Sequence, residues 1–279
     1  MRITAIVLLL LATCLLGVAH AQVVFPADSA YVPLRCGNAV VTDGLADTAG
    51  FLDERDLVGD PPAPAAYRAA DTTNLYLRIR LEKDAMQATM LQPFSWGMEF
   101  DLDNDTTDYE LLILVDGTTG AQGSVSIFRN TATTLTNDPN DPADTPAAQT
   151  HAFPMNGRSV AAGGSNFGGS PDFFLDFAVP WSELMPLGLD HDTPTRAWIA
   201  SSTSQNSLNG DFVCHDGAGG AATLGNSASD PTTGDPNNPG AGNGTGHLEG
   251  GGGCTTTRGN AGLLALLAFI VLRRNRRAQ

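Results

Sequence analysis

Basic residues are scarce in this chain, and aromatics and cysteine are few. Lys and Arg number 15 against 30 Asp and Glu, and aromatic residues make up 7% of the 279. All 30 acidic residues lie between Asp28 and Glu249, where nine basic residues accompany them and Lys83 is the single lysine, a net charge of −21 over that span. A surface this acidic repels phosphate backbones, which argues against nucleic acid as a partner; it suits divalent cations and neutral partners such as glycans. The five histidines (His20, His151, His191, His215, His247) are scattered, with no two at metal-ligand spacing on one element. No G-x-S-x-G motif occurs, and the Gly-rich stretch 162–170 opens no helical pattern. The chain therefore reads as non-catalytic, and a secreted hydrolase built on some pair of its many carboxylates ranks behind a binding or structural role.

Long apolar runs are missing except at the two ends. Met1-Arg2 is a short positive start, Ile3 to Val18 is apolar, and Ala19-His20-Ala21 offers small residues where a signal peptidase reads. That order predicts a signal peptide over residues 1–21, cleaved between Ala21 and Gln22; the run falls short of the ~20 residues that span a bilayer. From 226 to 253 the chain turns to Asn, Gly, Pro, Thr and Asp, too polar to bury a core, and reads as a disordered linker. Residues 254–279 hold Cys254, a polar TTTRGN stretch, the apolar AGLLALLAFIVL and the basic RRNRRAQ. A short hydrophobic helix followed by arginines stays cytoplasmic at its basic end, which puts the acidic region outside the cell. Export also shapes the cysteine reading. Cys14 leaves with the signal and Cys254 belongs to the tail, so Cys36 and Cys214 remain near the two ends of residues 22–225. They are expected to pair as a disulfide in an oxidising compartment; the alternative is two separate buried thiols.

Residues 22–225 carry strand signals. Asn74–Glu82 alternates, with Leu75, Leu77, Ile79 and Leu81 on one face and Tyr76, Arg78 and Arg80 on the other. Phe94–Leu102 repeats the pattern, with Phe94, Trp96, Met98, Phe100 and Leu102 in phase. Tyr109–Asp116 is apolar on both faces and predicts a central strand. Gly123–Arg129, Phe173–Val179 and Ala197–Thr203 complete the set, Pro180–Leu184 is a helical turn opened by proline, and Gly, Asn-Asp-Pro and Asp-Gly breaks separate them. The prediction is one all-β domain, an antiparallel β-sandwich of jelly-roll or Ig-like type.

The sharpest local feature is Asp101-Leu102-Asp103-Asn104-Asp105-Thr106-Thr107-Asp108-Tyr109-Glu110. Alternating carboxylates where one strand ends and the next begins can wrap a hard cation, so Asp101, Asp103, Asp105 and Asp108 are candidate calcium ligands, with Glu110 returning across the turn. The loop departs from an EF-hand, having Thr106 where Gly is needed and Leu112 where the bidentate Glu belongs. A solvated turn whose Asp side chains cap their own backbone is the alternative.

Two resemblances rest on these residues. The tail, with Gly250 to Gly253, Cys254, Ala261 to Leu272 and Arg273 to Arg277, resembles the MYXO-CTERM class of sorting signals. That resemblance implies processing near Cys254 and retention at the cell surface; an unprocessed single-pass anchor is the alternative. From about Asp43 to Asp211 the chain is similar to family 9 carbohydrate-binding-module-like, or DOMON-like, sandwiches. The matching features are Tyr67 and Ala69-Ala70-Asp71, the LYLRIRL strand, the W-G-x-E-F-D-x-D-x-D strand end, and FLDFAVP running into Trp181-Ser182-Glu183-Leu184. Sugar-binding members use paired aromatics in a cleft, which makes Trp96 and Trp181 the candidates here; Trp181 and Trp198 read equally as core residues. The expectation is a surface-displayed binding module for carbohydrate or another extracellular ligand, with a structural or adhesive surface protein as the alternative.

Overall fold

The computed structural model describes residues 21–36, 39–45, 52–103, 105, 107–120, 122–136, 138, 140–214 and 222–223. The predicted signal peptide, apart from Ala21, the linker 226–253 and the tail with Cys254 lie outside the described residues.

The described chain is all-β apart from two α-helical turns and two 3-10 turns, Asp28–Ala30 and Met185–Leu187. Its strands are β1 (Val32–Pro33), β2 (Arg35–Cys36), β3 (Ala39–Val40), β4 (Ala66–Ala70), β5 (Asn74–Leu81), β6 (Met86–Gln87), β7 (Met90–Leu91) and β8 (Ser95–Asp101), then β9 (Leu111–Asp116), β10 (Ser124–Arg129), β11 (Gln149–Ala152), β12 (Gly157–Ala161), β13 (Phe173–Pro180), β14 (Pro194–Ser202), β15 (Gly210–Val213) and β16 (Ala222–Thr223). Helical turns occupy Phe153–Asn156 and Trp181–Leu184. One sheet runs β1-β4-β5-β13-β12 and a larger one β11-β10-β9-β8-β14-β15, with β16 also on β14. Every pairing is antiparallel. The chain passes between the two sheets three times, after β5, after β11 and after β13.

Period-2 alternation explains how the sheets join. The inward set of β5 (Leu75, Leu77, Ile79, Leu81) and of β13 (Leu175, Phe177, Val179) shares one buried cluster with Trp96, Met98 and Phe100 of β8, Leu111, Ile113 and Val115 of β9, and Ile199 of β14. Two sheets closing on one core give a sandwich-like body. The strands expected from the sequence form with shifts of one to three residues at their ends. Beta4, β11, β12 and β15 were not legible as strands: Ala66–Ala70 has alanines where strands favour branched side chains, and Gln149–Ala152 has no alternating apolar set.

The outer face of the smaller sheet departs from the half-exposed strand that alternation in β5 suggests. Tyr76, Arg78 and Arg80 are all buried. Residues 23–31 lie across Tyr76 and Arg78, with the Val23 N–H donating to Met155 O at 2.9 Å and Phe25 meeting Tyr76 edge-on at 6.0 Å, while Arg80 donates to Ser165 and to Tyr67. Register sets Asp176 of β13 opposite both Arg78 and Arg158. The Asp176 carboxylate, fully buried, accepts from Arg78 Nε at 2.6 Å, Arg78 Nη2 at 2.9 Å and Arg158 Nε at 2.8 Å. Arg78 also reaches Asp28 at 2.9 Å and lies between the rings of Tyr31 and Phe174, 3.7 and 4.1 Å from their centroids.

Removing a buried carboxylate that holds two guanidinium groups leaves charge in a dry layer, which costs about 3–5 kcal/mol. Asp176→Ala should therefore lower the unfolding free energy by that amount, seen as a lower urea midpoint at unchanged slope in tryptophan fluorescence. A loss under about 1 kcal/mol, the worth of an exposed pair, would contradict the buried assignment.

Candidate metal site

Beta8 ends at Asp101, 1% exposed, and β9 begins at Leu111, so the chain reverses through the acidic loop. Polar contacts tie the reversal to the sheet. The Glu110 N–H donates to Phe100 O at 3.0 Å, the Leu102 N–H donates to Glu110 Oε2 at 2.6 Å, and Thr195 Oγ1 of β14 donates to Asp101 O at 2.7 Å. Beside them Arg196 Nη2 sits 2.7 Å from Asp101 Oδ2, an ion pair.

Three carboxylates converge here. Asp101, Asp103 and Glu110 each offer an oxygen within 4.8 Å of the other two. Oxygens on opposite sides of a calcium ion, each at its usual ~2.4 Å, stand about 4.8 Å apart, so this spacing admits such an ion at the centre. Burial pushes the Glu110 carboxyl up to about 7, against the lowering effect of the Leu102 N–H, and the charges of Asp103, Asp101 and Asp108 push the same way. A divalent cation would relieve that repulsion.

The predicted ligand set is redrawn. Asp101 and Asp103 come together as expected. Asp105 is exposed and spends Oδ1 on the Thr107 N–H at 3.0 Å and hydroxyl at 2.8 Å, which hold its carboxyl below the ordinary range. Asp108 accepts from Thr133 Oγ1 at 2.7 Å and stands outside the trio. Glu110 takes the third place because the turn brings the first position of the returning strand opposite Asp101. Asp101 and Asp103 also cap in series, the Asp103 N–H donating to Asp101 Oδ1 at 3.1 Å and the Asp105 N–H to Asp103 Oδ1 at 2.8 Å, so self-capping and convergence coexist in one loop.

The two candidate ligand-binding tryptophans are interior. Trp96 is fully buried with its Nε1 donating to Glu54 O at 3.0 Å, and Trp181 donates to Asp71 O at 2.9 Å with its ring 4.3 Å from that of His191. Both lie in the shared core, so neither offers a ring face for a sugar; strand alternation that points Trp96 inward is the reason. Cys36 and Cys214 are partly buried and pack against the same core, with Cys214 Sγ 3.9 Å from the carbonyl oxygen of Arg35. Ala21 and Gln22, flanking the expected cleavage point, are exposed. His151 Nε2 meets Glu183 Oε2 at 2.7 Å, joining β11 to the helical turn after β13. Comparison with family models, with curated proteins and with solved structures finds no match for this chain.

Calcium should raise the melting temperature by binding the folded state alone, and Asp103→Asn should reduce that rise more than a change at remote Asp144. The pH dependence has a definite sign. Glu110 in the folded, cation-free protein holds its proton above the ordinary carboxylate range, so stability in EDTA should fall as pH rises from about 4.5 through about 7. Saturating calcium should abolish that fall, and Glu110→Gln should flatten it without calcium. Melting curves across this range that ignore both calcium and Glu110→Gln would dismiss the site.

Proposed function

We propose that this chain is an exported, non-catalytic β-sandwich domain, held at the cell surface by its C-terminal tail, whose acidic loop binds calcium and whose partner is a glycan or another extracellular component. The observation that carries the reading is the convergence of Asp101, Asp103 and Glu110 at a strand end of a strongly acidic domain. Hard oxygen ligands suit calcium, which is abundant outside the cell. In this reading the body is a jelly-roll or Ig-like sandwich, and three passages between its sheets favour such a path. Since Trp96 and Trp181 are interior, ligand recognition falls to the cation loop and the polar loops around it rather than to stacked tryptophans.

A structural or adhesive role without a small ligand is the second reading, and one observation favours it. Among the described residues every aromatic side chain is buried or half-buried, which leaves no stacking platform on the surface. A glycan array probed with and without calcium decides between the two. Calcium-dependent binding that Asp103→Asn removes supports the module; an array blank in both conditions supports the structural role.

Export also sets the expectation for the cysteines. Peptide mapping of the surface protein under non-reducing conditions should find a chain starting at Gln22 and a Cys36–Cys214 linked peptide. Intact Met1 on surface protein, or two separately alkylated thiols, would remove this part of the reading.

A further inference from the structure

The acidic trio already has a cation of the protein's own beside it. Strand β14 runs antiparallel to β8 with Arg196 directly opposite Asp101, and Arg196 Nη2 stands 2.7 Å from Asp101 Oδ2. The pair is closed to water, its side chains being 8% and 0% exposed. The residue before Arg196 holds the same partner through the main chain, Thr195 Oγ1 donating to Asp101 O at 2.7 Å. Three residues beyond Arg196 the strand enters the shared core at Ile199, which fixes this register.

Neutral donors serve the same carboxylates. The Asp103 N–H donates to Asp101 Oδ1 at 3.1 Å, the Asp105 N–H to Asp103 Oδ1 at 2.8 Å, and the Leu102 N–H to Glu110 Oε2 at 2.6 Å. An amide orients a carboxylate and leaves its charge in place, whereas a guanidinium offsets that charge. Among the described residues Asp103 and Glu110 pair with no basic side chain, so the positive charge reaches the trio through Asp101.

Arg196 has two opposed effects on an ion held by the trio. As an outer partner it orients Asp101, and removing such a partner weakens metal binding about 10–100-fold. As a like charge against a ligand oxygen it repels the ion and takes up an oxygen that the ion would use. The orienting effect is duplicated here, because the Asp103 N–H and the Thr195 hydroxyl hold residue 101 from two other sides. Repulsion is not duplicated, and it decides the sign.

We propose that Arg196 is the resident counter-cation of this loop, competes with calcium for Asp101, and so sets the calcium affinity in the weak range, roughly 10⁻⁴–10⁻³ M, of extracellular modules. The inference rests on the reading of Asp101, Asp103 and Glu110 as the calcium site. The loop is then a concentration gate: the guanidinium holds Asp101 where calcium is scarce, and the ion takes it where calcium is plentiful.

Calcium titration by calorimetry on the full exported chain, stripped with EDTA, tests this in the wild type and in Arg196→Gln. Binding should tighten at least about tenfold in Arg196→Gln and be lost again when Asp103→Asn is added. A lower melting temperature of the variant in EDTA would follow from any structural ion pair; the affinity would not. Equal or weaker affinity in Arg196→Gln, with the wild type binding, overturns the inference and leaves the loop site standing. Binding in Arg196→Gln where the wild type shows none supports it, the guanidinium then excluding the ion altogether. No calcium bound by either protein removes the loop site and the inference with it. Tightening that survives Asp103→Asn puts the ion elsewhere and also overturns it. Should Arg196→Gln fail to fold, Arg196→Lys decides: a strongly hydrated ammonium without the planar fork grips Asp101 less, so binding should tighten about threefold, and affinity at or below the wild type overturns the inference.

Discussion

The fold depends on where an acidic chain puts its few positive charges. Asp176, fully buried, takes both Arg78 and Arg158, and Arg78 is further held between two rings and against Asp28. That knot lets β5 and β13, the middle of the smaller sheet, be covered on both faces, and it holds residues 23–31 across the outer one. Were Asp176 not to reach both guanidinium groups, the layer would hold unmatched charge, and the aromatic cover of Tyr31, Phe25 and Phe174 would lose the groups it packs on.

Spending arginine inside has a consequence outside. Arg68, Arg78, Arg80 and Arg196 are buried, so the surface carboxylates look largely to the backbone for partners. Asp71, Asp103, Asp105 and Asp190 each accept N–H groups two or three residues on, and their turns shape the loops. Asp71, Asp105 and Asp190 are held below the ordinary range; the chief lowering influences are backbone N–H groups with Tyr76 at Asp71 and the Thr107 and Thr193 hydroxyls at the other two. Carboxyls that lack enough such donors are pushed the other way. Glu110, Glu99 and Glu82 are those cases, and Glu110, at the strand end, is where a cation would do what a donor does elsewhere.

Glu110 and Glu99 lie on the outer face of the larger sheet. Beta8 contributes Glu99 and Asp101, β9 is preceded by Glu110, and β10 is followed by Asn130, whose N–H donates to Glu110 O at 2.9 Å. Cation binding at the loop would join the β8–β9 turn to itself and stiffen this surface. The function proposed for the domain thus follows from charge placement rather than from any aromatic platform.

Much of this was legible beforehand. Period-2 runs in 74–82, 94–102 and 109–116 marked three strands and their inward faces, because alternation alone dictates which side chains share a side. The DLDNDTTDYE segment marked the loop where carboxylates converge, because carboxylates so dense demand donors or a cation wherever they fold. The sequence could not say that Glu110 would replace Asp105 and Asp108, since that depends on the register across the β8–β9 turn. Nor could it say that Tyr76 and Arg78 would be roofed by residues 23–31, or that Glu99 would be sealed. Those outcomes depend on contacts between segments as much as about a hundred residues apart, as Arg78 with Asp176 shows, and only the closed tertiary structure brings them together.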